Sequence, residues 1–317
     1  MAASKHEIQQ LIAPHHNDNV FNFRSFDATE QQTPVARPSY LDLDLENLKL
    51  DLDSERKILY AQMTHPERAC FTPALMQDGY VFTKQIQDEF GMAVEEEMPF
   101  KYLVWTSKAK GAWSLGGDLF RFTQLIRQGD AEKLRRYART SVDVLYQNYL
   151  GYGLPIKTIA LIQGDAIGGG FEAMLTNDVV IAEKNAKFGL PEILFNLFPG
   201  MGAQSFLQRK VGAKMARTLI EDGVTRTASE LHELGLVDIV ADPGEGEAAL
   251  HEYIDANDKR FQVDHTLKRV RQRTDPVTRS ELIDVVDLWV ELALQLKNDD
   301  LRRMDCLARH QQRRRAA

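Results

Sequence analysis

Residues 158–204, TIALIQGDAIGGGFEAMLTNDVVIAEKNAKFGLPEILFNLFPGMGAQ, decide how the rest of the chain is read. Residues 158–162 form a short apolar run rich in β-branched side chains, the pattern of a buried strand. Gly164 and Asp165 interrupt it, and glycine then fills 168, 169 and 170. Phe171, Met174 and Leu175 follow at helical spacing, so the glycines open a helix. Residues 179–182 are a second apolar run and predict the next strand. Units of this kind place sites where a strand gives way to a helix. Glycines at that point have two uses. They permit a tight helix–strand contact, or they leave bare N–H groups that, with the helix dipole, stabilise a developing negative charge.

Two carboxylates sharpen the choice. Glu172 lies two residues beyond the glycines in an otherwise apolar turn, and Glu192 follows Pro191 inside FGLPEILF (188–195). Burying an unpaired carboxylate is costly, so an acid in such surroundings has a partner or a task. One such residue is ordinarily a surface or ion-paired group. Two that flank a glycine turn point to general acid–base chemistry.

The motifs Gly168-Gly169-Gly170-Phe171-Glu172, Gly189-Leu190-Pro191-Glu192 and Phe198-Pro199-Gly200-Met201-Gly202 resemble those of the crotonase (enoyl-CoA hydratase) superfamily. Ala112-Trp113-Ser114-Leu115-Gly116-Gly117-Asp118 is similar to that family's second oxyanion loop, and the four motifs stand in family order over roughly residues 40–315. Within the superfamily the chain looks most like the bacterial diffusible signal factor synthases, which make cis-2-unsaturated fatty acids. Residues 68–71, 115–119, 195–203 and 288–291 carry that likeness.

The resemblance implies an α/β fold: a spiral of repeated ββα units over residues 40–242, then a C-terminal helical section over 243–317. It implies Glu172 and Glu192 as the acid–base pair, without assigning which is acid and which base, and oxyanion N–H donors at Ser114 and Gly169. Leu115, Gly116, Gly168, Gly200 and Trp289 are expected to contact substrate, with the Gly200 backbone positioning water. No cofactor or metal is implied, the substrate being an acyl carrier protein or coenzyme A thioester. A homotrimer or dimer of trimers and a regulatory sensor kinase are the implied partners. The implied reaction converts a 3-hydroxyacyl carrier-protein thioester to a free cis-2-enoic acid by dehydration and thioester hydrolysis. A plain hydratase or isomerase on coenzyme A is the first alternative. A non-catalytic scaffold of the same fold, binding RNA or protein, is the second.

Composition sets outer limits. With 44% hydrophobic and 27% charged residues, the 317-residue chain is an ordinary globular protein able to bury a large core. A net charge of −7 argues against wholesale nucleic-acid or anionic-membrane binding. Cys70 and Cys306 offer neither a disulfide framework nor zinc spacing, which fits a reducing compartment. No apolar run approaches the ~20 residues that span a bilayer, and no signal core opens the chain, so a cytoplasmic protein is expected. A nucleophile elbow, a Walker A loop and a His-x-x-x-His pair are all absent, and Gly200-x-Gly202 lacks the rest of a dinucleotide fingerprint.

Along the chain, residues 1–39 are polar and Pro-punctuated, the pattern of a mobile extension, and His15-His16 within them is no metal signal by itself. Residues 40–53 alternate leucine with acid and predict a half-buried hairpin, with 57–64 a further strand. A helical stripe runs over 73–91, a strand over 102–106, and a helix starts near Leu119. Residues 119–140 hold Arg121, Arg127, Lys133, Arg135, Arg136 and Arg139 against Asp130 and Glu132. That excess reads either as a solvated helix face or as a docking surface for an acidic carrier protein or coenzyme A phosphates. Residues 203–212 and 214–223 predict two glycine-closed helices, and Thr227 with Glu230 a capping box. A last strand is expected at 237–240 and an apolar helical stripe from Leu282 to Leu296.

Overall fold

The computed structural model describes residues 39–313. The expected N-terminal extension, with His15-His16, lies outside them apart from Ser39, and so do residues 314–317.

The hairpin predicted within residues 40–53 does not form: only its second arm is a strand, and that arm pairs with the strand predicted at 57–64. Tyr40–Asp42 is a 3-10 turn, its Tyr40 ring buried against Phe90 and Phe100 at 5.4 and 5.8 Å. Asn47 then anchors the chain, its backbone N and Nδ2 donating to Asp78 Oδ2 at 2.7 and 3.0 Å. Strand β1 (Leu48–Asp53) pairs antiparallel with β2 (Ile58–Met63), in register from Leu48 opposite Met63 to Asp53 opposite Ile58. That ladder uses all of β2, so the alternating residues 41–46 have no strand to pair with.

Helix α1 (Pro73–Phe90) begins where Thr72 Oγ1 accepts from Leu75 N, with proline in the first turn. There follow β3 (Tyr102–Ser107), β4 (Ala112–Ser114), α2 (Leu119–Gln128), α3 (Ala131–Leu150), β5 (Lys157–Ile162), β6 (Asp165–Ile167) and α4 (Gly169–Met174). Next come β7 (Val179–Glu183), β8 (Lys187–Gly189), α5 (Ala203–Glu221), β9 (Arg226–Thr227), α6 (Ala228–Glu233) and β10 (Ile239–Ala241). The strands form a six-stranded sheet in the order β1-β2-β3-β5-β7-β10 and a four-stranded sheet in the order β4-β6-β8-β9. The successive pairs β3/β4, β5/β6 and β7/β8 each give one strand to either sheet. This is the spiral of ββα turns expected above. All six residues of β5 are buried, as their apolar run requires at the middle of a parallel sheet.

The two helices predicted over 203–223 are the two halves of α5, which meet at a kink where Gly212 leaves helical backbone (φ 78°, ψ 160°). The capping box at Thr227 and Glu230 is formed. The C-terminal section comprises α7 (Gly246–Asn257), α8 (Phe261–Thr274), α9 (Arg279–Ala293) and α10 (Asn298–Arg313). Helix α9 packs on α3, where Arg279 Nε donates to Asp143 Oδ1 at 2.7 Å, and α10 packs on α2, where Arg127 meets Asp305 at 2.6 Å. Leu282, Val286, Trp289 and Val290 form the buried stripe of α9.

Candidate active site

Strands β4, β6 and β8 lie side by side and parallel, and the chain leaving each of them enters one cavity. Gly117 follows β4, the glycines and Glu172 follow β6, and Glu192 follows β8. The site therefore sits beyond the carboxyl ends of parallel strands, where α/β folds place their ligands.

Gly168 has φ 56° and ψ −126°, a region open in practice to glycine alone, and a Cβ there would lie 2.7 Å from Glu192 Oε1. Gly170 lies so close to the upstream loop that a Cβ would fall 2.1 Å from Ser114 O. Close approach, rather than flexibility, is what the triplet supplies. Gly169 opens α4, so its N–H has no intrahelical acceptor.

Glu172 is 1% exposed. Its Oε1 accepts from Met201 N at 2.7 Å and Ala203 N at 2.9 Å, at the start of α5. Burial pushes its proton affinity up, and those amides offset only part of the rise. Glu192 has less such help: its own backbone amide is the one donor that lowers its affinity, and its Oε2 is buried with no hydrogen-bond partner. Burial raises its affinity too, and the nearby charge of Glu172 raises it further. The two carboxyls thus share a cavity in unequal surroundings, with Glu192 the stronger holder of a proton.

The upstream loop departs from expectation. Ser114 is fully buried and off the cavity wall, its Oγ turned to accept from Gly116 N at 3.3 Å. Leu115 does line the cavity, but its N–H is taken by Ala69 O at 2.7 Å, while Gly116 lies off the wall. The residue whose amide borders the cavity is Gly117. Among the described residues nothing accepts from its N–H, and a Cβ built on Gly169 would stand 3.2 Å from that nitrogen. Two unclaimed amides from separate turns therefore stand together, those of Gly117 and Gly169, whereas Ser114 lies off the cavity wall. One local signal distinguishes Ser114 from Gly117: the serine still belongs to a strand ladder, whereas Gly117 follows a glycine at φ 85°.

The cavity encloses about 390 Å³, within the range of small-molecule sites. From the glutamates it runs among Phe122, Ala138, Val286, Trp289, Met304 and Leu307, an apolar wall built by α2, α3, α9 and α10. Trp289 stacks edge-on to Phe122 at 5.1 Å and presses on bare Gly200, where a Cβ would meet its ring at 2.6 Å. Gly168 and Gly200 both line the cavity, as expected. Exposed Lys187 and Thr225 mark where it meets solvent. Phe122, Tyr137, Leu307 and Gln311 also line it and carry no signal in the sequence alone.

Of the four net positive charges over residues 119–140, carboxylates outside the run offset two, Asp305 and Asp287. Arg127 pairs with Asp305, Lys133 with Asp130, and Arg135 and Arg139 both with Asp287. Among the described residues no three His, Cys, Asp or Glu side chains are placed to hold a metal ion, and no helix is long and apolar enough to cross a membrane.

Comparison with known proteins places this geometry. The profile described as enoyl-CoA hydratase/isomerase matches residues 81–281. An enoyl-CoA hydratase from Bacillus halodurans is similar with TM-score 0.69 and 20% identity, over 82% of this chain and 100% of that one. An enoyl-CoA hydratase/isomerase from Xanthobacter autotrophicus Py2 gives TM-score 0.66 at 19% identity, over 84% and 95%. DspI of Pseudomonas aeruginosa gives TM-score 0.59 at 22% identity, over 78% and 96%. At these identities the structural likenesses establish the fold.

Proposed function

This chain belongs to the enoyl-CoA hydratase/isomerase family, and from that premise we propose that it dehydrates a 3-hydroxyacyl thioester and hydrolyses the enoyl thioester, releasing a cis-2-unsaturated fatty acid. The observation that carries the reading is a pair of unequal carboxyls, Glu172 buried and Glu192 half-buried with Oε2 unpartnered, on one cavity with two unclaimed amides. A thioester α-proton is weakly acidic, so its removal demands stabilisation of the enolate oxygen. The N–H groups of Gly117 and Gly169 are assigned to that oxygen, each donor of this kind contributing about 3–4 kcal/mol.

Glu172, whose ionised form the amides of Met201 and Ala203 stabilise more than any donor does that of Glu192, takes the C2 proton. Glu192, which holds its proton more tightly, gives it to the 3-hydroxyl, and water leaves. Glu172 is then protonated and Glu192 ionised. In the second step Glu192 removes a proton from the water that attacks the carbonyl carbon. The C–S bond breaks, the thiolate takes the proton from Glu172, and both carboxyls return to their starting states. The acyl chain is assigned to the wall formed by Phe122, Val286, Trp289 and Leu307. Acyl carrier protein as donor, and the cis-2 product, rest on the likeness of residues 68–71, 115–119, 195–203 and 288–291 to the signal synthases.

A second reading, hydratase or isomerase chemistry on a coenzyme A thioester alone, is favoured by the family description and by the pairing of the basic run. Incubation with 3-hydroxydodecanoyl carrier protein and with the matching coenzyme A thioester, followed by mass spectrometry, separates the two. Free enoic acid from the intact chain, absent with Glu172→Gln and Glu192→Gln, supports the first. Enoyl thioester without free acid replaces it with the second.

A further inference from the structure

The loop that carries Gly117 is held by a residue 196 positions from Leu115. Gln311, on α10, is 2% exposed and borders the cavity. Its Nε2 donates to Leu115 O and to Gly117 O, both at 2.8 Å, and its Oε1 accepts from Leu119 N at 3.3 Å. Leu119 opens α2, so that amide has no acceptor within its own helix. One side-chain amide thus fastens the peptides on both sides of the Gly116–Gly117 bond.

That bond is the one whose N–H faces the cavity. Its carbonyl, Gly116 O, accepts from Phe71 N at 2.8 Å. In a trans peptide the N–H points opposite to the C=O, so the Phe71 contact turns Gly117 N–H toward Gly169. Flanked by glycine on each side, the plane has little steric preference of its own, and its aim depends on anchors outside the loop. A primary amide supplies two donor hydrogens and an acceptor at once, whereas a carboxylate would confront both carbonyl oxygens with no donor. The helix is itself secured beside Glu192, since Asn196 Nδ2 donates to Asp300 Oδ1 at 2.7 Å.

We propose that Gln311 is a positioning residue that fixes the Gly116–Gly117 peptide with its N–H toward the thioester oxygen, making α10 a working part of the active site. The inference rests on the oxyanion role given to Gly117 above. The test uses Gln311→Met and Gln311→Glu in the full chain, folding being followed by circular dichroism. Two binding probes accompany turnover: an acetoacetyl thioester, whose enolate is read by ultraviolet difference absorbance, and a saturated acyl thioester. Gln311→Met is expected to lower kcat about 10²-fold with little change in KM, the loss typical of a disturbed oxyanion donor. Its preference for the enolate over the saturated thioester should fall in parallel. Gln311→Glu should lose as much at pH 8 and recover, relative to the unaltered protein, as acid protonates the new carboxyl. A folded Gln311→Met with unaltered kcat and enolate preference overturns the inference. Glu192→Gln run alongside distinguishes the failures. Full turnover in Glu192→Gln sinks the reading of the site, whereas its loss beside a fully active Gln311→Met sinks this inference alone.

Discussion

Replacing Glu192 by glutamine tests the site through two independent readouts, stability and turnover. Glutamine keeps the shape and cannot ionise. Burial, with the neighbouring charge of Glu172, lifts Glu192 from 4.5 to about 8, so the folded protein binds this proton more tightly than the unfolded chain does. The sign follows from linkage: the contribution is fully present below pH 4.5 and is lost as pH rises through about 8. At ~1.4 kcal/mol per unit the full gap corresponds to ~5 kcal/mol, and halving it for the solvent-facing edge of the cavity leaves ~2 kcal/mol. With roughly 2–4 °C per kcal/mol for chains of this class, Glu192→Gln should melt at the same temperature as the unaltered protein near pH 5. By pH 8.5 it should melt roughly 4–8 °C higher. Turnover of the 3-hydroxyacyl thioester should drop about 10²–10⁴-fold, the usual contribution of a positioned acid. Scanning calorimetry from pH 5 to 9, paired with a product assay, measures both. Parallel melting curves across that range would falsify the raised proton affinity, and full turnover would remove Glu192 from the chemistry.

Three other substitutions probe the surroundings. Gly168→Ala forces a side chain into φ 56° and against Glu192 Oε1, so stability should fall by about 1–3 kcal/mol and turnover about 10²-fold, read by melting and single-turnover kinetics. Unchanged kinetics there would mean that Glu192 is not held where the geometry puts it. Trp289→Ala empties the apolar end of the cavity and should cost about 3–5 kcal/mol while shifting the preferred acyl chain to greater length, seen in a substrate-length series. Arg68→Met leaves Asp118, 1% exposed, without the guanidinium now 2.9 Å away. Urea unfolding should show a loss of about 3–5 kcal/mol, and an unshifted midpoint would remove that ion pair from the scaffold of the loop.

What could be read directly from the sequence was local. The β-branched run at 158–162 lies in β5, the glycine triplet opens α4, and Thr227 caps α6, because each depends on neighbours within a few residues. The shared cavity of Glu172 and Glu192 also follows from two adjacent parallel strands, β6 and β8. Features set by distant partners were not legible. Which amide of Ser114–Gly117 faces inward depends on an irregularity between Ala112 and Ser114 and on contacts from Phe71 and Gln311. The basic run looked unpaired because Asp287 and Asp305 lie 148 and 178 residues from the arginines they meet. The unequal surroundings of the glutamates depend on Met201 N and Ala203 N, which reach Glu172 from 29 and 31 residues further along the chain.

Parallel pairing of β4 with β6, Ser114 opposite Ala166, is what sets the two amides side by side. Both amides belong to glycines at which a Cβ would collide, with Phe122 at Gly117 and with Met201 at Gly169, so on the function proposed above the apparatus for holding a negative oxygen is main-chain geometry that glycine alone permits. Substitutions along the wall of Phe122, Val286, Trp289 and Leu307 can then alter what the cavity admits without moving either amide.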